Sequence, residues 1–158
     1  MTDTRLLGDP GTPAFQVRKY PFFQLNRLVG RYNIVVAERL RAIDVDIPTW
    51  RVLMILGESS PRGIGEIAQF AIIRISTLTR IIQRMTAAGL VAGERRDGDN
   101  RVTEISLTAL GRERLADARV LTAPIYAQVI AGLSQRDFDR LTDLLDRLHA
   151  NLAGDEPV

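Results

Sequence analysis

The chain has no cysteine, one histidine and one tryptophan among its 158 residues. The missing thiols exclude disulfides, zinc–thiolate sites and thiol-based redox sensing. His149, the only histidine, lies in an acidic segment near the C-terminus, so the sequence gives little support for a histidine metal site or a pH switch. We therefore expect neither a metal nor a cofactor.

Long apolar runs are also missing. No stretch approaches the length of a membrane span, and residues 1–13 lack the apolar core of a signal peptide. We therefore expect a cytoplasmic protein with no membrane partner. The chain also lacks a phosphate-cradling glycine loop and any close acidic pair outside residues 94–101 and the acidic tail, which argues against an enzyme.

The composition, 46% hydrophobic and 25% charged, is that of an ordinary globular protein, and the net charge is only +2. The charges are unevenly distributed, however. Residues 74–101 contain six arginines and three acids, whereas residues 132–158 contain six acids and three arginines. This segregation suggests that the first region meets phosphates. Two solvated faces that happen to differ in charge are the alternative.

Apolar residues recur at helical spacing in most of the chain, whereas residues 1–19 have no periodicity and are expected to form a flexible arm. Asp46 and Thr108 are predicted helix N-caps, and Ser134 with Asp137 resembles a capping box. The predicted helices cover about residues 21–42, 46–57, 64–70, 75–88, 108–131 and a final segment after 134.

A basic β-hairpin is predicted after the fourth helix. Residues 102–107 alternate in polarity at the two-residue period of a strand, and an Asp/Gly/Asn cluster at residues 97–100 marks the tip. Arg95 and Arg96 precede this tip and Arg101 follows it. We expect Arg101 to enter a DNA minor groove, with Asp99 bracing it by a charge-assisted hydrogen bond. For that pair, local ion pairing without function is the alternative.

The fourth helix, residues 75–88, has two faces. Leu78, Ile81, Ile82 and Met85 share one arc, and polar side chains occupy the opposite one. A short helix and a tight connection precede it, as in a helix-turn-helix. The polar residues predicted to meet DNA are Ser76, Thr77 and Arg80 at base edges and Arg84 at phosphate. A merely solvated helix face is the alternative.

The last helix carries apolar residues at alternating spacings of three and four. This seam consists of Phe138, Leu141, Leu145, Leu148 and Leu152. Such a narrow seam is typical of coiled-coil packing and predicts a homodimer formed by the terminal helices. Packing of the last helix on the first within one chain is the alternative.

Several of these motifs together resemble the MarR (multiple antibiotic resistance regulator) family of winged-helix transcriptional regulators. The resemblance covers about residues 21–152, and the residues that carry it most specifically are Trp50-Arg51-Val52-Leu53, Ile67-Ala68, Thr77-Leu78-Thr79-Arg80, the segment from Met85 to Val91, Asp99-x-Arg101 and Leu107-Thr108-x-x-Gly111. The family often has a serine-type cap before its recognition helix, whereas this chain has Ile73-Arg74-Ile75. The sequence therefore leaves open where that helix begins and whether Arg74 contacts phosphate.

The resemblance implies a mainly α fold with a small β-hairpin wing, that is, a winged helix-turn-helix flanked by N- and C-terminal dimerisation helices. The expected divisions are a flexible arm (1–19), a dimerisation helix (20–45), the DNA-binding region (46–108), further dimerisation helices (109–152) and a tail (153–158). The implied function is a dimeric repressor that binds double-stranded DNA at a pseudo-palindromic operator.

Many relatives release DNA when a small aromatic anion binds between these regions. By this resemblance the candidate ligand-binding residues are Tyr32, Trp50 and Arg51, which offer aromatic faces and a carboxylate-binding fork. Tyr32 and Trp50 as ordinary core residues are the alternative. Two other functions stay open: a regulator without a small-molecule inducer, and a winged-helix module for protein–protein contacts.

Overall fold

The computed structural model describes residues 3–96 and 99–153. Within them three strands form one antiparallel sheet, in which the third strand along the chain lies between the first and the second. The chain divides into two compact units, with the boundary between Thr122 and Ala123. The elements are α1 (Thr4–Leu7), a 3-10 turn (Val17–Lys19), α2 (Pro21–Leu40), a 3-10 turn (Arg41–Ile43), α3 (Ile47–Glu58), β1 (Arg62–Gly63), α4 (Ile64–Ala71), α5 (Ile75–Ala87), β2 (Val91–Arg96), β3 (Asp99–Leu107), α6 (Ala109–Val129) and α7 (Gln135–Ala153).

Within the expected flexible arm, the described residues contain local structure that the sequence did not predict. The Asp3 carboxylate caps α1 by accepting a hydrogen bond from the backbone N–H of Arg5 at 2.9 Å. The chain then turns back, so that the N–H of Gln16 donates to the carbonyl of Leu7 at 2.8 Å. Hydrogen bonds within the segment stabilise this local structure. Such bonds leave no periodic pattern of apolar residues, so the sequence did not indicate them.

The long helices begin and end close to the predicted residues because their caps are encoded locally. The Asp46 carboxylate accepts a hydrogen bond from the Thr49 N–H at 2.9 Å and caps α3. The Thr108 hydroxyl accepts one from the Gly111 N–H at 3.0 Å at the start of α6. Both residues therefore act as the predicted N-caps.

The predicted hairpin is present, formed by β2 and β3, and a strand that the sequence did not predict joins it. β1 pairs with β3 through Arg62 opposite Ile105 and Gly63 opposite Glu104. β2 pairs with the same two β3 residues from the other side. With only two residues, β1 is too short for alternation to reveal it.

The core of the first unit joins these elements. Fully buried side chains come from α2, α3, α4, α5 and both longer strands, and the largest are Leu40, Leu53, Leu56, Ile67, Leu78, Met85 and Ile105. Leu115 and Ala118 of α6 are also buried. This shared core fixes α4, α5 and the hairpin together, which is what a composite binding surface requires.

The second unit contains the end of α6 and all of α7. The Ser134 hydroxyl accepts a hydrogen bond from the Asp137 N–H at 3.2 Å, and the Asp137 carboxylate accepts one from the Ser134 N–H at 3.3 Å, which is the predicted capping box. The hydrogen bonds from Ser134 lower the pKa of Asp137. Four leucines of the predicted seam, Leu141, Leu145, Leu148 and Leu152, are exposed in the single chain.

Among the described residues, no helix combines the length and the apolar character needed to cross a bilayer.

Candidate nucleic-acid interface

Helix α5 has the two faces predicted from its sequence. Leu78, Ile81, Ile82 and Met85 are buried and fix the helix against the core. The opposite face is exposed, and it carries Ser76, Thr77, Arg80, Gln83 and Arg84. The exposed face therefore offers hydroxyl, amide and guanidinium groups, which are the side-chain types that read base edges and bind phosphates.

Arg74 occupies the N-cap position of α5, immediately before its first helical residue. Its backbone is outside the helical region (φ −58°, ψ 139°), and its carbonyl accepts hydrogen bonds from the N–H groups of Thr77 and Leu78, both at 2.9 Å. Its own side chain makes no capping hydrogen bond. The start of the recognition helix, which the sequence left open, therefore follows Arg74, and the exposed first turn holds Ile75, Ser76 and Thr77.

Arg84 of α5 forms an ion pair with the N-cap residue of α3. Its guanidinium donates to the Asp46 carboxylate at 2.7 Å and to the Thr49 hydroxyl at 3.1 Å. Partial burial raises the pKa of Asp46, but the hydrogen bonds from Thr49 and the charge of Arg84 outweigh it, so this pKa lies below its ordinary value. Arg84, predicted to meet phosphate, thus also links the end of α5 to the cap of α3. The sequence indicated Asp46 only as a cap.

The hairpin places its basic residues on two paired strands. Arg95 is exposed and pairs in register with Thr103, and the pairing is irregular between Arg95 and Arg96. The side chains of Arg96, Asp99 and Arg101 lie outside the part of the chain that the structure describes. The predicted bracing of Arg101 by Asp99 therefore stays a prediction.

The base of the hairpin is joined to α6 by the motif Thr108-x-x-Gly111. The Thr108 hydroxyl donates to the carbonyl of Gly89 at 2.6 Å, and the Thr108 N–H donates to that of Leu90 at 3.1 Å. Gly111 lies so close to Leu90 that a Cβ on it would press directly against the Leu90 carbonyl oxygen. The glycine is thus required by close backbone approach.

The predicted ligand residues are only partly brought together. The rings of Tyr32 and Trp50 lie with centroids 6.3 Å apart, and Trp50 is only 6% exposed. Its indole Nε1 is buried and has no hydrogen-bond partner among the described residues. Arg51, the next residue, is half-buried.

A cavity of about 580 Å³ lies elsewhere in the first unit, and other residues line it. Its apolar lining includes Ala37, Val45 and Met85, and its polar rim includes Asp46 and Arg84. Within residues 3–96 and 99–153, no group of three or more acidic or histidine side chains is placed to hold a metal ion.

A short helix, a tight turn and a longer helix, followed by a hairpin, define a winged helix-turn-helix. Helix α5 takes the place of the recognition helix and β2–β3 that of the wing.

The comparisons with known proteins agree with this architecture. The sequence model of the MarR family matches residues 45–103. The chain is 35% identical over 144 residues to the HTH-type transcriptional repressor IacR of Pseudomonas putida, covering 91% of this chain and 86% of that protein. It is 33% identical over 135 residues to the homoprotocatechuate degradative operon repressor of Escherichia coli, covering 85% of this chain and 84% of that one.

The fold also resembles that of a solved transcriptional regulator. The transcriptional regulator MOSR of Mycobacterium tuberculosis, crystallised in complex with DNA, matches with a TM-score of 0.71 at 25% identity, over 86% of this chain and 98% of that one. The chain belongs to the MarR family. It is a DNA-binding transcriptional regulator of that family and not an enzyme.

Proposed function

We propose that this protein is a homodimeric repressor that binds a pseudo-palindromic operator and is released from it by a small aromatic anion. The observation that carries the proposal is the exposed polar face of α5, with Ser76, Thr77 and Arg80 near its start, beside a wing that carries arginines. The N-terminal part of a recognition helix contacts base edges in the major groove. A guanidinium on that surface bonds guanine O6 and N7 in a bidentate manner.

The wing supplies a different kind of contact. Arg95, Arg96 and Arg101 belong to strands β2 and β3 of the wing, and arginines inserted into a narrow minor groove are attracted by its negative potential. Such contacts add affinity for any duplex. In this proposal α5 reads the base sequence, and the wing binds the minor groove.

This division of roles is testable with two substitutions. Arg80→Ala should cost about 1–3 kcal/mol on the cognate duplex and relax base preference, because a bidentate base contact carries discrimination of that size. Arg101→Ala should weaken binding to all duplexes evenly and reduce the salt slope by about one unit. Fluorescence-anisotropy titrations at several salt concentrations, on the cognate and on random duplexes, measure both effects.

Arg119→Ala removes the same charge from an exposed position on α6 and serves as the matched control, for which we expect no change. Equal losses for Arg80→Ala on cognate and random DNA would refute its role in base readout. Salt-independent or absent binding of the unmodified protein to any duplex would instead favour a module for protein contacts.

The exposed leucines of α7 support the homodimer. Leu141, Leu145, Leu148 and Leu152 repeat along one side of α7 and are exposed in the single chain. A contiguous exposed apolar stripe of this kind marks an interaction surface. A second copy of the chain, related by a two-fold axis, offers the same stripe and also the second lobe that a palindromic site requires.

The aromatic pair of Tyr32 and Trp50 supports the ligand. A buried indole N–H without a partner is costly, and an acceptor on a bound molecule would satisfy it. The neighbouring Arg51 offers a fork for a carboxylate. The name of the Escherichia coli relative refers to degradation of homoprotocatechuate, an aromatic carboxylic acid, which is the same chemical class.

Binding of such a ligand is expected to lower DNA affinity, and DNA must weaken the ligand by the same factor. A hundredfold loss of DNA affinity requires about 2.7 kcal/mol of coupling. Trp50 is the sole tryptophan, so its fluorescence reports binding of salicylate and related acids directly. Arg51→Ala should weaken these acids while leaving Trp50 emission in the free protein unchanged.

A compound that binds equally well to free and to DNA-bound protein is not the inducer. If no acid in a broad series changes Trp50 emission or DNA affinity, the protein is a regulator without a small-molecule inducer.

A further inference from the structure

The turn between α4 and α5 exposes large apolar side chains. Phe70 is 61% exposed, Ile72 87% and Ile75 59%. The guanidinium of Arg62 lies over the Phe70 ring, 4.6 Å from its centroid. This cation–π contact accounts for the position of the exposed Phe70 side chain. Within the part of the chain that the structure describes, packing does not account for the exposure of Ile72 and Ile75. Both lie at the entrance to the recognition helix.

Ile72 is also held in an unfavourable backbone conformation. It ends α4 with φ 52° and ψ 49°, the left-handed region that glycine or asparagine ordinarily occupies at this position. A β-branched residue is a genuine outlier there. Because the side chain of Ile72 is almost fully exposed, packing in the core does not compensate for this strained backbone conformation. The isoleucine opposes stability, which points to a contact outside the chain.

Ile75 is the first helical residue of α5. It is followed by the exposed hydroxyls of Ser76 and Thr77, and Arg80 lies about one turn later. This first turn is the part of a recognition helix that enters the major groove. An apolar side chain in that position has one apolar partner on the base edges, the C5-methyl group of thymine.

We propose that Ile75, flanked by Ile72, recognises thymine by packing against its C5-methyl group in the major groove. The inference rests on the proposed docking of α5 and adds a specificity that its polar residues do not supply. Each half-site then contains at least one thymine whose methyl group contributes to affinity. Removing the methyl group from such a thymine should weaken binding about fourfold, as expected for one buried methylene-sized group.

The experiment begins with duplexes selected from a random-sequence pool by the full-length protein. In the selected duplex each thymine is replaced in turn by deoxyuridine, which removes only the methyl group. We expect the unmodified protein to lose about fourfold in affinity at one or two positions per half-site. Ile75→Ser should bind the thymine and deoxyuridine duplexes equally, whereas Ile75→Val should keep most of the difference.

Ile72→Gly separates recognition from folding. It removes the strained side chain, so it should raise Tm by about 2–4 °C, while weakening binding to the thymine duplex. A variant that is more stable and yet binds less tightly has lost a contact with DNA rather than its structure.

Three results would overturn the proposal: indifference of the unmodified protein to every deoxyuridine, selected half-sites without thymine, or an unchanged thymine preference in Ile75→Ser. In each of these cases DNA binding itself stands. Failure of the selection to enrich any duplex overturns DNA binding as well, so the two failures are distinguishable. Dissociation of a dimer by Ile75→Ser with unchanged thymine preference would assign the surface to a protein contact instead.

Discussion

Replacing Leu145 and Leu148 with aspartate is expected to produce a folded monomer that no longer retains operator DNA. Both leucines lie on the exposed apolar stripe of α7. Leu145 and Leu148 are 38% and 40% exposed in the single chain, so burying the rest of one leucine contributes about 1 kcal/mol. The proposed dimer loses four such contributions, and the new carboxylates repel each other across its two-fold axis. Light scattering gives the mass, circular dichroism the helix content, and gel shift the DNA binding.

Ala150→Asp is the matched control, because it adds a carboxylate to α7 on the side away from the stripe. It should stay dimeric and bind DNA. If the unmodified protein is already a monomer that binds DNA, or if the double variant stays dimeric, the stripe is not the dimer interface.

Gly111→Ala is expected to destabilise the first unit by about 3 kcal/mol, the upper part of the range for overpacked sites. Its Cβ would meet the Leu90 carbonyl group, with the carbonyl carbon 3.0 Å away, and backbone cannot rotate aside as a flexible side chain can. The start of α6 must then move away from the base of the wing. Urea unfolding followed by circular dichroism measures the loss.

Gly65→Ala provides the control for the same chemical change. Gly65 is inside α4, and a Cβ added there meets no atom within 4 Å. Alanine should therefore stabilise the protein by about 0.5–1 kcal/mol through better helix propensity. If Gly111→Ala proves as harmless as Gly65→Ala, the close approach at Leu90 is not a constraint on the fold.

The helices were predictable because their signals are local. Asp46 and Thr108 cap helices within three or four residues, and the two faces of α5 follow from the helical period alone. What the sequence did not reveal depends on partners far along the chain. Strand β1 exists only through pairing with β3, and Arg84 bonds Asp46 across 38 residues. Neither interaction has a periodic signature.

For the candidate site, too, only the features encoded locally in the sequence were predictable. The exposure of Ser76, Thr77 and Arg80 follows from the helical period, whereas the exposure of Ile75 contradicts it, because an apolar residue at a helix start is ordinarily expected to pack. Only the structure shows that Ile75, directly after the turn that precedes α5, is exposed. Helix α1 was not predicted for another reason: it is too short to show any period.

The pairing of β3 on both sides determines where the wing is able to bend. Ile105 and Glu104 pair with β1 on one side and with β2 on the other, and β1 leads directly into α4, so strand pairing connects the inner part of the wing to the helix-turn-helix. The pairing beyond the Glu94–Glu104 pair involves β2 and β3 alone and becomes irregular after Arg95, so we expect adjustment of the wing to be confined to this part. We therefore expect the distance between α5 and the root of the wing to be constant on every operator. Differences in groove width among operators are then absorbed by the outermost residues of the wing alone.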